Sequence, residues 1–242
     1  AAGIAELAQD ALAAVEELRS SPEIDARRIG FFAASQGTWV ARAAIAQSPG
    51  SVAFLVNHSG PAVSLLAADT FALRSSARAA GLDEAEQEEV LALWKLECEA
   101  LRAGVAPDAH APLLTALTTA RTRPWFARLP YEATSGKSWW VGWYRRVIDF
   151  DDRAELEKLR VPTLWLYGSA DTQSDVVANV EMLAELARDG RPWSVHLFPE
   201  GDHGIMVPLF EGGGPRTMAA GYFELLFEWL ERNAGTHHPR AR

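Results

Sequence analysis

The sequence contains one cysteine, Cys98, among 242 residues. A single thiol rules out an internal disulfide framework and a cysteine-based zinc cluster. No uninterrupted apolar run approaches the ~18 residues that a bilayer crossing needs. Positive charge is scarce as well: 23 Lys and Arg face 32 Asp and Glu, a formal net charge of −9. That balance argues against nucleic acid or an anionic membrane surface as a partner. There is neither an internal repeat nor a low-complexity tract, and no His pair has the spacing or carboxylate company of a metal site. No cofactor is expected. What is present is a 48% hydrophobic, 10% aromatic composition, suited to a globular chain with a sizeable core and to neither a disordered nor a fibrous one. The lone thiol and the acidic balance fit a cytoplasmic setting.

Residues 1–21 lack the signature of a secretory leader, because Glu6, Asp10, Glu16 and Glu17 interrupt the apolar run. Ile4, Leu7, Leu12, Val15 and Leu18 recur at helical spacing, which predicts an amphipathic helix. A short buried strand is expected over 26–34, a helix from Ser35 to Gln47, and a second apolar strand over 51–61. Strand, helix and strand with short connectors predict a parallel sheet. Residues 62–155 break this alternation with helical and aromatic pieces, including a strong helix started by Asp83, and read as a helical insertion. The alternation resumes with strands over 161–168 and 193–199, a helix over 174–190 between them, and a last helix over 218–235. The expected division is therefore an α/β core over 1–61 and 156–235, an insertion over 62–155, and a polar tail over 236–242.

In parallel α/β sheets, reactive groups gather at the C-terminal ends of the strands. Ser35, in Ala33-Ala34-Ser35-Gln36-Gly37, occupies the turn from strand into helix. That passage suits an exposed nucleophile with small residues two before and two after it, allowing close approach of strand and helix. The usual G-x-S-x-G appears here with Ala33 in the first glycine's place. Asp171 follows the strand 161–168, and it is preferred over Asp175, a helix-start acid, and Asp202, which adjoins the candidate histidine. His203, between Gly201 and Gly204 after the last strand, is the candidate base. His58 is its rival, since it too follows a strand and is placed to line a pocket. His110, His196, His237 and His238 look incidental.

The order Ser35, Asp171, His203 resembles that of the α/β-hydrolase superfamily. The resemblance is strongest to dienelactone hydrolase-like and prolyl-oligopeptidase-like esterases and peptidases, on the segments VPTLWLYGSADTQ and FPEGDHGIM. It implies a parallel-sheet α/β fold with a helical cap and a serine hydrolase mechanism with Ser35, Asp171 and His203 as triad. It also implies an oxyanion donor at the Gln36 backbone N–H and a small-molecule ester or peptide substrate. The family places about four strands before the nucleophile strand, so the chain is expected to be a piece of a longer protein. Its nucleophile strand is then an open edge, and the second oxyanion donor lies elsewhere. Peptidase or acyl-transfer chemistry shares the acyl-serine, and a non-catalytic binding protein of the same fold is an alternative of another class. Trp125, Phe126, Trp139, Trp140, Trp143 and Tyr144 either line an apolar pocket or pack the insertion. Of these, Trp140 and Trp143 are taken with His58 as substrate contacts. Cys98 is read as a small buried hydrophobe, and residues 211–215 (EGGGP) as a flexible loop without the features of a phosphate loop.

Overall fold

Four parallel strands form the centre of the computed structural model, which describes residues 2–131, 138–210 and 213–234, without the side chains of 138–140. They are β1 (Phe31–Ala34), β2 (Leu55–His58), β3 (Thr163–Gly168) and β4 (Trp193–Phe198), in the spatial order β1-β2-β3-β4. Ala34 pairs with His58 and His58 with Leu166, which brings the C-terminal ends of the first three strands level. β1 and β4 are the outer strands of the sheet.

The chain divides into two units, one made of Ile4–Val63 with Asp152 onward, the other of Ser64–Asp151 with the first three residues. In the sheet unit, α1 (Ile4–Ser20), α2 (Gly37–Gln47), α7 (Arg153–Lys158) and α8 (Val176–Leu186) accompany a core of Val15, Ala41, Ile45, Leu55, Trp165 and Leu183. A second core joins Val56, Leu164, Leu166 and Phe198 to Tyr222, Leu226 and Trp229 of α9 (Tyr222–Asn233). Alternate residues of β2 and β3 thus enter different cores. Every residue of β3 is buried, which explains why its sequence is apolar without alternation.

The other unit is helical among its described residues: α3 (Leu65–Ala79), α4 (Glu84–Arg102), α5 (Ala111–Ala120) and α6 (Ser138–Val147). Asp83 starts α4 through a capping box, accepting from Glu86 N at 2.9 Å while Glu86 Oε2 accepts from Asp83 N at 3.0 Å. Cys98 is buried at 2% exposure, and burial pushes its thiol up to about 12. No helix among the described residues is long and apolar enough to cross a membrane.

Two local expectations are corrected. The strand expected over 26–34 pairs only from Phe31: Asp25 accepts from Arg27 N at 3.0 Å and winds Ala26–Arg28 into a 3-10 turn. This local carboxylate bond competes with extension. The helix expected from 218 begins at Tyr222, after Gly221 at φ 78°. Met218 belongs instead to a two-stranded antiparallel ribbon, β5 (Met206–Pro208) with β6 (Arg216–Met218). Three-residue strands beside glycines carry too little pattern to be read. Residues 211–212 of EGGGP and the tail 236–242 lie outside the described residues.

Candidate active site

Ser35 follows β1 directly and has φ 49°, a left-handed conformation that strains a side-chain-bearing residue. Its surroundings hold it there. Ser35 N donates to the His58 carbonyl at 2.9 Å, and the Ser35 carbonyl accepts from Thr38 N at 3.0 Å and Thr38 Oγ1 at 2.8 Å. Gln36 is the N-cap of α2, where N–H groups have no intrahelical acceptor. The expectation that both flanking small residues permit a close approach is corrected at Gly37, where an added Cβ would meet nothing within 4 Å. The tight contact is at Gly60, where a Cβ would stand 2.1 Å from Thr38 Cγ2.

Asp171 stands in the turn after β3 with its side chain fully excluded from solvent. Its Oδ1 accepts from Gln173 N at 2.7 Å and Ser174 N at 2.9 Å, which leaves Oδ2 2.8 Å from His203 Nδ1. His203 Nε2 lies 2.9 Å from Ser35 Oγ. A carboxylate only accepts hydrogen bonds, so Nδ1 carries the ring proton and Nε2 is free to take one from the serine. The chain Ser35–His203–Asp171 is continuous within the sheet unit.

The turn carrying His203 is closely built. A Cβ on Gly168 would stand 2.2 Å from the Gly201 carbonyl, so the end of β3 and this turn meet backbone to backbone. Glu200 and Ile205 have φ 58° and 56°, bending the chain on both sides of His203. Asp202 is occupied locally: Oδ1 accepts from Gly204 N at 2.9 Å and Met206 N at 2.8 Å, and Oδ2 pairs with Arg216. Asp175 caps α8, accepting from Ala178 N at 3.0 Å.

His58 closes β2 with its Nδ1 2.8 Å from the Tyr222 hydroxyl, a partner that the sequence pattern did not single out. Burial, and after it the charge of His203, hold the His58 imidazole below its ordinary value. His196 lies in β4 against Phe198, at 4.5 Å between ring centroids, and His110 precedes α5 in the helical unit. His237 and His238 lie outside the described residues. Trp143 is on α6, its ring edge-on to Tyr144 at 5.0 Å. Trp125 is fully buried and its Nε1 donates to Glu89 Oε2 at 2.6 Å. Tyr144 lines a cavity of about 470 Å3 inside the helical unit with Asp69, Trp94, Glu97 and Tyr131. Tyr144 donates to Asp69 and Tyr131 to Glu97, both at 2.8 Å. The side chains of Trp139 and Trp140 lie outside the described residues. Among the described residues no three His, Cys, Asp or Glu side chains gather as metal ligands.

No protein-family model matches the chain, and no curated protein does. Solved structures do match. MenH from S. aureus is similar over 96% of this chain and 77% of its own, at TM-score 0.50 and 12% identity. VinJ is similar over 93% of this chain and 73% of its own, at TM-score 0.48 and 17% identity. The dipeptidyl peptidase 4 of Porphyromonas gingivalis is similar over 94% of this chain, which spans 22% of that protein, at TM-score 0.46 and 16% identity. With its parallel β1-β2-β3-β4 sheet, its flanking helices and this likeness to MenH, the chain has the α/β-hydrolase fold.

Proposed function

We propose that the chain is a serine hydrolase that cleaves a carboxylic ester, or a related acyl bond, through an acyl-serine intermediate. The observation that carries this reading is the unbroken hydrogen-bond chain from Ser35 Oγ through His203 to Asp171, at 2.9 and 2.8 Å. In the first half-reaction Ser35 Oγ attacks the substrate carbonyl and its proton passes to His203 Nε2. Asp171 holds the ring in the tautomer that can accept that proton and stabilises the imidazolium. The imidazolium then protonates the leaving alcohol. In the second half-reaction water, deprotonated by His203, attacks the acyl-serine carbonyl; the acyl–Oγ bond breaks, His203 returns the proton to Ser35 Oγ, and the acid is released. The Gln36 N–H, at the open start of α2, is the proposed donor to the oxyanion, a contribution worth about 2.7–4 kcal/mol in a protease where one donor was removed.

The strained φ of Ser35 supports the same reading, since strain of this kind concentrates at functional residues. The test is labelling with a fluorophosphonate followed by mapping of the modified peptide. The adduct is expected on Ser35 and absent from Ser35→Ala. A wild-type protein that takes no label overturns the proposal.

A further inference from the structure

His58 touches Ser35 through its main chain and Tyr222 through its ring, and Tyr222 shares a core with Ile205 of the turn that carries His203. It is the last residue of β2, the strand between those that lead to Ser35 and Asp171. Its main-chain carbonyl accepts the Ser35 N–H at 2.9 Å. Its imidazole Nδ1 lies 2.8 Å from the Tyr222 hydroxyl on α9, and the Ile205 that shares the Tyr222 core is two residues after His203. Phe32 and Tyr222 flank the ring at centroid distances of 5.8 and 5.6 Å. Tyr222 is itself fixed, 3% exposed and packed on Phe198 at 5.5 Å.

We infer that His58, oriented by Tyr222, is a positioning residue that sets the separation of Ser35 Oγ and His203 Nε2. The inference rests on the serine hydrolase reading and adds to it a residue that touches neither the nucleophile's Oγ nor the base's ring. The need for such a brace follows from the geometry. Ser35 and His203 stand 168 residues apart in the chain, yet their side chains meet at 2.9 Å. The His203 turn is held from one side by Asp171 and by the close approach of Gly168 to Gly201. On the side of α9 the turn is held by Ile205, which packs in one core with Tyr222 and accepts from Ala219 N at 3.0 Å, and Tyr222 in turn meets the His58 ring. With the Tyr222 O–H donating to Nδ1, the proton of the neutral His58 ring is on Nε2. A neutral ring there also adds no second positive charge beside the imidazolium that forms on His203, in keeping with the downward shift that burial and His203 impose on His58. Displacing a catalytic group by about 1 Å costs on the order of 10²-fold in rate.

The experiment compares wild type, His58→Ala, His58→Asn and Tyr222→Phe. It measures the rate of fluorophosphonate labelling at Ser35, kcat and KM on p-nitrophenyl acetate, and circular dichroism to follow the fold. His58→Ala is expected to slow labelling and to lower kcat by roughly 10- to 100-fold with KM little changed. His58→Asn keeps a polar atom near the Nδ1 position and is expected to regain most of the loss. Tyr222→Phe is expected to show a smaller loss in the same direction. If His58→Ala fails to fold, His58→Asn and Tyr222→Phe decide by the same readouts. Labelling of all three variants at the wild-type rate overturns the inference while leaving the hydrolase reading in place. A raised KM with unchanged kcat also overturns it and makes His58 a substrate contact. Wild type that takes no label removes the hydrolase reading, and the inference falls with it.

Discussion

Arg42 and Asp152 form an ion pair from which solvent is wholly excluded, both side chains being 0% exposed. Arg42 Nη2 also donates to the Pro61 carbonyl at 2.6 Å, and the guanidinium lies 5.5 Å from the Trp165 ring centroid. Pro61 and Asp152 flank the points where the chain leaves the sheet unit and returns to it. One side chain on α2 therefore fixes both ends of that excursion within the sheet unit.

Removing either partner leaves a charge buried without its counter-ion, which costs about 3–5 kcal/mol. Arg42→Met and Asp152→Leu are each expected to lower the stability of the sheet unit by that order, measured by urea denaturation followed by circular dichroism. The double variant is expected to lose less than the sum of the two, because it leaves neither charge stranded. Additive losses, or single losses under about 1 kcal/mol, would contradict this account.

Gly60 and Gly37 make opposite predictions. Alanine at Gly60 puts a Cβ 2.1 Å from Thr38 Cγ2, and Thr38 is fully buried and hydrogen-bonded to the Ser35 carbonyl. Gly60→Ala is expected to cost about 1–3 kcal/mol by overpacking and to slow fluorophosphonate labelling of Ser35. Adding Thr38→Ala rescues it only in part, since Thr38 Cβ would still stand 2.5 Å away. Gly37 meets open space at the first residue of α2. Gly37→Ala is expected to be neutral or to gain about 0.4–1 kcal/mol by stiffening the unfolded chain. Thermal unfolding of the two alanine variants distinguishes these outcomes.

The low affinity of His58 for a proton gives stability a pH dependence of known sign. Burial and the charge of His203 lower its folded value below 6.5, opposed in smaller measure by the Gly204 backbone, Asp171 and Asp202, while the Tyr222 hydroxyl meets Nδ1. Below 6.5 the unfolded chain therefore binds this proton before the folded one does. Stability from His58 is complete above that point and falls as the solution becomes more acid. His58→Asn removes the linkage, so its melting temperature is expected to decline less than that of wild type between about pH 7 and pH 5. Equal slopes in the two proteins would contradict the assignment.

Ser35, Asp171 and His203 could be singled out in the sequence because each follows a strand and because their order along the chain is informative. The periodicity of residues 4–20 and the unbroken apolar run of β3 likewise announced their elements. The brace from His58 to Tyr222 was not legible, since it joins residues 164 apart across the sheet and neither has a local motif. The Gly60–Thr38 contact was hidden for the same reason: a glycine after a strand reads as a turn until its neighbour is known. The strand start expected at Ala26 is too early, because the Asp25 bond to Arg27 N winds 26–28 into a turn before the apolar pattern begins at Ile29.

The orientation of Asp171 allows the roles of its two oxygens to be separated. Oδ1 is held by the N–H groups of Gln173 and Ser174, and Oδ2 faces His203 Nδ1. In Asp171→Asn the amide oxygen keeps the bonds to Gln173 and Ser174, which turns the NH2 toward His203. A donor facing Nδ1 selects the tautomer with its proton on Nε2, where it blocks transfer from Ser35. The expected result is a fall in kcat of roughly 10³–10⁴-fold with the fold intact, read on p-nitrophenyl acetate alongside circular dichroism. Asp202→Asn is the control: both Asp202 oxygens are engaged by Gly204, Met206 and Arg216, so the loss is expected to stay under about tenfold. The reverse ranking of the two variants would move the acid from Asp171 to Asp202.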